Sequence, residues 1–253
     1  MIETGLNKSI FKLLKFDIEQ NIAPNAFIIG CDEVGRGCLA GPIVGGAVRW
    51  NQDFILKIAQ DLKNFCANLG ISLENSDRKT LIKQIWQGIK KNPELNNLYL
   101  TLQIDDSKKL TPKKRVLLAE FIKAHTDWAT HEIAAEEIDM NGVGQANKKV
   151  LEESCLKTCK DATNIHVLVD HFKIFTSHPD IKILAMDKGD ERSLSIAAAS
   201  IIAKVYRDKL MHELHETYPQ YGFNTNVGYG SAAHMTAIKV HGLTTLHRKS
   251  FIS

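Results

Sequence analysis

No stretch of this 253-residue chain holds eighteen apolar residues in a row, so no segment is long enough to cross a membrane as a helix. Cysteine is scarce: Cys31, Cys38, Cys66, Cys155 and Cys159 make an odd number with no CxxC pair. That argues against a zinc ribbon or a disulfide framework and suits a reducing cytoplasm. Cys155 and Cys159 fall at i,i+4 on one helix face, where buried packing is the expected role. The opening MIETGLNKSIFKLLKF has neither a long apolar stretch nor a small-residue cleavage site, which points to a cytoplasmic protein rather than a secreted one. A large excess of either charge is also lacking. The net charge of +3 means that any nucleic-acid binding must rest on local patches. With no internal repeat, low-complexity tract or Gly/Ser linker, residues 1–253 are expected to form a single domain. A 44% hydrophobic content at this length suffices for a core without a structural metal.

Residues 26–31 and 42–49 read as strands joined by a glycine-rich turn. Residues 53–69 and 77–91 read as helices, with Gly70 as the stop between them. LYLTLQI, 98–104, reads as a third strand. Thr111-Pro112 is an N-cap followed by proline at the first helical position, opening a helix to about 125. A strand at 128–134, a helix at 139–160, strands at 165–170 and 181–185 and a helix over 192–216 follow. The tail is aromatic- and glycine-rich, with a short helix near 231–240. Strands alternate with helices but begin from a hairpin, so the expected fold class is α/β with a mixed sheet.

Residues 30–46, GCDEVGRGCLAGPIVGG, contain a GxGxxA pattern at Gly35, Gly37 and Ala40. A dinucleotide site needs a helix to start there. Pro42 and a β-branched stretch follow instead, and Asp32 and Glu33 would repel a pyrophosphate. A hairpin turn needing positive φ explains the glycines but not the adjacent acids. Paired carboxylates at a strand end suit a hard cation such as Mg²⁺, which takes oxygen ligands and keeps waters. In an ideal strand Asp32 and Glu33 point to opposite faces, so one shared site requires the chain to bend there. Asp170 ends the apolar run IHVLVD, and Asp187 and Asp190 follow the next strand. Each acid alone is explained as a cap or loop residue; together they fit a shared metal site.

Five ordered blocks, GCDEVGRGCLAGPIVGGAV, DDSKKL, KGDERSLSIAAASIIAKVYRDKLM, YPQYGF and HRKSF, closely resemble type 2 ribonuclease H, the ribonuclease HII family. The resemblance runs from about residue 26 to the C-terminus, apart from residues 51–97. It implies a ribonuclease H-like mixed β-sheet flanked by helices, with a C-terminal helical part over 211–253. It implies an endoribonuclease that cuts the RNA strand of RNA–DNA hybrids and nicks DNA 5′ to embedded ribonucleotides, leaving 5′-phosphate and 3′-hydroxyl ends. The divalent cofactor is Mg²⁺ or Mn²⁺. Its catalytic metal ligands map onto Asp32, Glu33, Asp170 and Asp190, while Asp187 lies outside the motif. Gly35, Arg36 and Gly37 match the element that contacts the ribonucleotide 2′-hydroxyl through backbone groups, a role glycine permits by close approach. Tyr229 matches a tyrosine that packs on the following deoxyribose. Ser107 and Lys108 match phosphate contacts. The partners implied are RNA–DNA hybrid and ribonucleotide-containing duplex DNA, with the chain acting as a monomer.

Some positions depart from the family pattern. His171 stands where glycine usually follows the third acid, and Val227 where a lysine usually precedes the GY pair. Ser231 replaces a common threonine. The resemblance leaves Arg207 open between holding a phosphate and pairing with an acid, and gives His247 and Arg248 the task of fixing the C-terminal part. Residues 51–97 read as a helical insertion, with Phe54, Ile58, Leu62 and Phe65 and then Leu81, Ile82, Ile85 and Ile89 at near-helical spacing. The competing functions are another metal-dependent nuclease of this fold, such as a resolvase, and a non-catalytic nucleic-acid-binding module.

Overall fold

The expected hairpin forms and carries the sheet. In the computed structural model, β1 (Phe27–Val34) pairs antiparallel with β2 (Ile43–Trp50), placing Gly46 opposite Asp32 and Gly45 opposite Glu33. The structure describes residues 13, 14, 16, 17, 27–70, 78–159, 164–171 and 181–252; Ala26, Asp77 and Lys160, at the ends of three expected elements, lie outside them. β3 (Thr126–Ile133) adds antiparallel to β2, while β4 (Ile165–Asp170) and β5 (Ile181–Met186) extend the other side in parallel. The order is β3-β2-β1-β4-β5, the mixed sheet expected from the sequence.

The helices are α1 (Gln52–Asn68), α2 (Arg78–Ile89), α3 (Leu95–Thr101), α4 (Pro112–His125), α5 (Ala135–Asn141), α6 (Val143–Thr158), α7 (Leu194–Thr217), α8 (Phe223–Asn226) and α9 (Ala232–His241). Their starts follow local chemistry. The Thr111 side chain accepts from the Lys114 N–H with Pro112 at the first position, and the Ser193 side chain accepts from the Ile196 N–H.

Glycines on β1 and β2 set how closely the layers approach. A Cβ on Gly30 would lie 2.0 Å from the Ser195 carbonyl carbon, and one on Gly46 2.6 Å from the Ala199 oxygen. α7 therefore lies tight on one face of the sheet, presenting the fully buried Ala197, Ala198 and Ala199. A Cβ on Gly45 would lie 2.3 Å from the Val150 oxygen, so α6 closes the opposite face.

Two expectations change. Residues 98–104 are not a strand, because Leu98, Thr101 and Leu102 are buried at helical spacing as α3 and the turn after it. The alternation of LYLTL fits period two on paper, but packing beside α1 and α2 selects the other period. The helix expected over 139–160 is two helices, broken at Gly142 with φ of 81°.

The described part of residues 51–97 carries α1, α2 and the start of α3, and residues 71–77 lie outside the described residues. Ile55, Ile58, Leu62, Leu81, Ile85 and Leu98 share one buried cluster with Leu118, Phe121 and Ile122 of α4 and Ile201 of α7. The segment is a wall of the main core rather than a surface decoration.

Candidate active site

β1 stays a strand through Val34, so the bend expected after Cys31 does not occur there. Asp32 shares the α7 face with Gly46, and Glu33 shares the α6 face with Gly45. Each acid sits opposite a residue without a side chain. The parallel register pairs Gly30 with Leu168 and Cys31 with Val169. One step further in that register, Asp32 lies beside Asp170, the last residue of β4.

Asp190 arrives on a 3₁₀ turn, Gly189–Glu191, and is 6% exposed. The Gly189 N–H donates to Asp170 Oδ1 at 2.6 Å, tying that turn to the end of β4. Burial pushes the Asp32 carboxyl well above its usual range, and the neighbouring Glu33, Asp170 and Asp190 push it further, against a lowering hydrogen bond from Ser200. Burial also raises Glu33, offset by Arg36 at 3.7 Å, and Asp170 adds to the rise. Asp190 is pushed up to about 6, first by burial and then by Asp106 and Asp170, with Lys108 opposing.

Four carboxylates from three separate segments thus share one electrostatic neighbourhood at the end of the sheet. Among the described residues, no three acidic, histidine or cysteine side chains close on one point as a ready-made cage. An all-carboxylate donor set suits a hard divalent cation on chemical grounds, since water and substrate oxygens complete its shell. The donor set fits a divalent cation on a second count. Glu33 Oε2 is buried with no hydrogen-bond partner, and a buried carboxylate oxygen left alone is costly unless a cation meets it.

Beyond β1 the chain turns through Gly35, Arg36 and Gly37. Gly35 has φ of 89°, and a Cβ there would lie 2.2 Å from Arg207 Nε, so both backbone and space demand glycine. Gly37 is exposed, with nothing within 4 Å of where its Cβ would be. This leaves backbone open to a ligand. Tyr229 is 45% exposed beside this turn, its phenol pushed up by burial and by Cys38. Lys108 is exposed. The Ser107 hydroxyl is buried and lies 2.9 Å from Ser200 Oγ. Through Ser200 it braces Asp32.

A profile of the ribonuclease HII family matches residues 88–253. Longer alignments reach the acids before that span. Ribonuclease HII of Clostridium acetobutylicum is 38% identical over 242 residues, 95% of this chain and 77% of that protein. This chain belongs to the ribonuclease HII family. Ribonuclease HII of Chlamydia trachomatis serovar D is 37% identical over 246 residues, covering 96% of this chain and 88% of that one. Family membership makes the chain a divalent-metal-dependent endoribonuclease acting on RNA–DNA hybrids, and sets aside the resolvase and binding-only readings. Two solved structures share the fold. Ribonuclease H2 from Pyrococcus horikoshii OT3 has a TM-score of 0.61 at 20% identity, covering 88% of this chain and 93% of that one. Bst-RNase HIII in complex with Mn²⁺ has a TM-score of 0.56 at 19% identity, covering 90% and 68%.

His171, which departs from the family pattern, is itself in the left-handed region that favours glycine, with φ of 58°. Its Nδ1 lies 2.7 Å from Asp187, which is exposed and takes no part among the four acids. Val227 also has positive φ, 41°, a costly conformation for a β-branched residue. Arg207 turns its guanidinium to backbone carbonyls. Fully buried, it donates to the carbonyls of Pro42, Val227 and Ala40. Arg248, equally buried, donates to the carbonyls of Gly41 and Arg36, so it fixes the Gly35–Gly37 turn as well as the C-terminal part. Sequence reasoning missed Asn147 and Ser200. Asn147, wholly buried on α6, offsets part of the burial of Glu33, yet its amide closes no hydrogen bond of its own. Ser200 lay seven residues before Arg207 on the same helix face, a spacing that would have placed both toward the site.

Proposed function

We propose that Asp32, Glu33, Asp170 and Asp190 hold the divalent ions of the reaction, with Mg²⁺ or Mn²⁺ as the cofactor. The observation that supports this reading is geometric: Asp32 lies beside Asp170 in the sheet register, the Gly189 N–H ties the turn bearing Asp190 to Asp170, and a buried oxygen of Glu33 has no hydrogen-bond partner. When bound, such ions activate the attacking water and stabilise the leaving 3′ oxygen of an in-line phosphodiester displacement. The carboxylates offset the ions' charge, and Ser200, backed by Ser107, keeps Asp32 in one orientation. Backbone groups of Gly35, Arg36 and Gly37 recognise the 2′-hydroxyl, the feature that separates RNA from DNA. Tyr229 packs on the next deoxyribose, and Lys108 meets a phosphate. The products carry 5′-phosphate and 3′-hydroxyl ends, and the chain acts as a cytoplasmic monomer.

A duplex with one embedded ribonucleotide tests the reading. Cleavage 5′ to that nucleotide in Mg²⁺ or Mn²⁺, and none in chelator, is expected. Cleavage that persists in chelator, or none with either ion, would overturn it.

A further inference from the structure

His234 and His247 are 0% and 1% exposed, walled by the rings of Tyr221 and Phe223. Their Nε2 atoms lie 3.2 Å apart. Both ends of the pair meet fixed backbone groups. The Thr244 N–H donates to His247 Nδ1 at 3.0 Å, so that nitrogen carries a lone pair. His234 Nδ1 lies 2.9 Å from the Tyr229 carbonyl oxygen, which only accepts, so that nitrogen carries the proton. One arrangement satisfies both ends. His247 is protonated at Nε2 and donates to His234 Nε2; His234 is protonated at Nδ1 and donates to Tyr229. A second proton on His234 would set a donor against a donor, and one on His247 Nδ1 would displace the Thr244 N–H and leave the Thr244 hydroxyl, 3.0 Å away, as its acceptor. Burial and the neighbouring His234 accordingly push His247 down to about 4.

The same stretch of backbone is held at three successive carbonyls. Val227 O accepts from Arg207, Gly228 O from the N–H groups of Leu39 and Ala40, and Tyr229 O from His234 and from the Ser231 N–H. The loop bearing Tyr229 is thereby tied to Leu39 and Ala40, just past the Gly35–Gly37 turn, and through His234 to His247 of the HRKSF segment.

We propose that His234 and His247 are positioning residues, a neutral relay of fixed tautomer that places Tyr229 and so sets the preference for a ribonucleotide–DNA junction. This rests on the reading of Tyr229 as the residue that packs on the deoxyribose. His234→Phe keeps a ring between Tyr221 and Phe223 but removes the donor to Tyr229. His234→Asn returns a donor, since its Nδ2 falls near the position of the ring Nδ1.

Two measurements decide the matter. Long-range ¹H–¹⁵N correlation on the native protein reads the tautomers, with the proton expected on Nδ1 of His234 and Nε2 of His247. Cleavage of a lone-ribonucleotide duplex relative to a uniform hybrid reads the selectivity. His234→Phe is expected to lower that ratio roughly threefold to tenfold, the scale of one neutral hydrogen bond, and His234→Asn to restore most of it. A general loss of structure would lower both rates together. A proton on Nε2 of His234 would overturn the relay, and this readout stands even where His234→Phe does not fold. A folded His234→Phe with the native ratio, beside a Tyr229→Ala that loses selectivity, overturns the relay alone. A native ratio in Tyr229→Ala overturns the reading of Tyr229 on which the relay's function depends.

Discussion

Asp170 Oδ1 accepts a 2.6 Å hydrogen bond from the Gly189 N–H, so the last residue of β4 and the turn that carries Asp190 move as one piece. Neither acid is placed by its own strand or helix alone. A Cβ added at Gly189 would lie 2.5 Å from Ile196 Cδ1 and 3.3 Å from Asp170 Oδ1. Gly189→Ala is therefore expected to shift Asp190 away from Asp170 without removing an acid. The Mg²⁺ concentration for half-maximal binding, measured by titration calorimetry, should rise. Asp32→Asn and Asp190→Asn should abolish hydrolysis while leaving hybrid binding by gel shift largely intact, because phosphate contacts dominate affinity.

Stability should depend on pH through the buried acids, Asp32 and Glu33 among them. Asp17, wholly buried against Ser195, and Asp190 are each pushed up from 3.8 to about 6 by burial. Between those values the folded chain holds protons that the unfolded chain has released. Their contribution is full below the lower value and is lost as pH rises through about 6. In chelator, the melting temperature should fall across that window. Mg²⁺ replaces the proton at Asp190 and should remove that residue's share, whereas Asp17→Asn should remove the share of Asp17 in either condition. A melting temperature that rises with pH over this window would contradict both.

A single guanidinium joins the segment after the Gly35–Gly37 turn to the loop that bears Tyr229. Arg207 supplies donors to three carbonyls from full burial. Arg207→Met keeps much of the volume but strands those oxygens, at about 1–3 kcal/mol for each buried acceptor left unpaired. Urea denaturation should show a loss of several kcal/mol. Arg207→Lys should recover only part of it, because an ammonium cannot reproduce the planar fork. Full recovery by lysine would mean that charge, not geometry, is what the site uses.

The acids, the GRG turn and four of the five strands' ends were legible because their signals are local: apolar runs that stop at a carboxylate, and glycines where φ turns positive. Partnership was not local. Nothing near Ser107 in the chain announces Ser200, and Arg207 stayed open between a phosphate and an acid where the structure gives it three backbone carbonyls. LYLTLQI misled because alternating leucines satisfy strand and helix periods alike, and only the neighbouring α1 and α2 decide. His171 shows the reverse case. Its departure from glycine cast doubt on a turn that the backbone nevertheless makes, with φ of 58°.

The helices of residues 51–97 allow stability and chemistry to be separated. Replacing the whole segment by a short loop would bare Leu118, Phe121 and Ile122, which it covers. Such a deletion is expected to fold poorly and would say little about catalysis. A single truncation is cleaner. Ile85 is fully buried on α2 and packs in the cluster shared with α4 and α7. Ile85→Ala removes that packing and leaves a cavity, at about 2–5 kcal/mol for a buried aliphatic side chain. None of the four acids, nor the Gly35–Gly37 turn, lies in this segment. The variant should therefore show a lower urea midpoint with an unchanged slope, since its cost falls on the folded core. Its kcat on a uniform hybrid, measured well below the unfolding transition, should match the parent's. A kcat that falls while the chain remains folded by circular dichroism would show that these helices hold the end of the sheet in its working geometry.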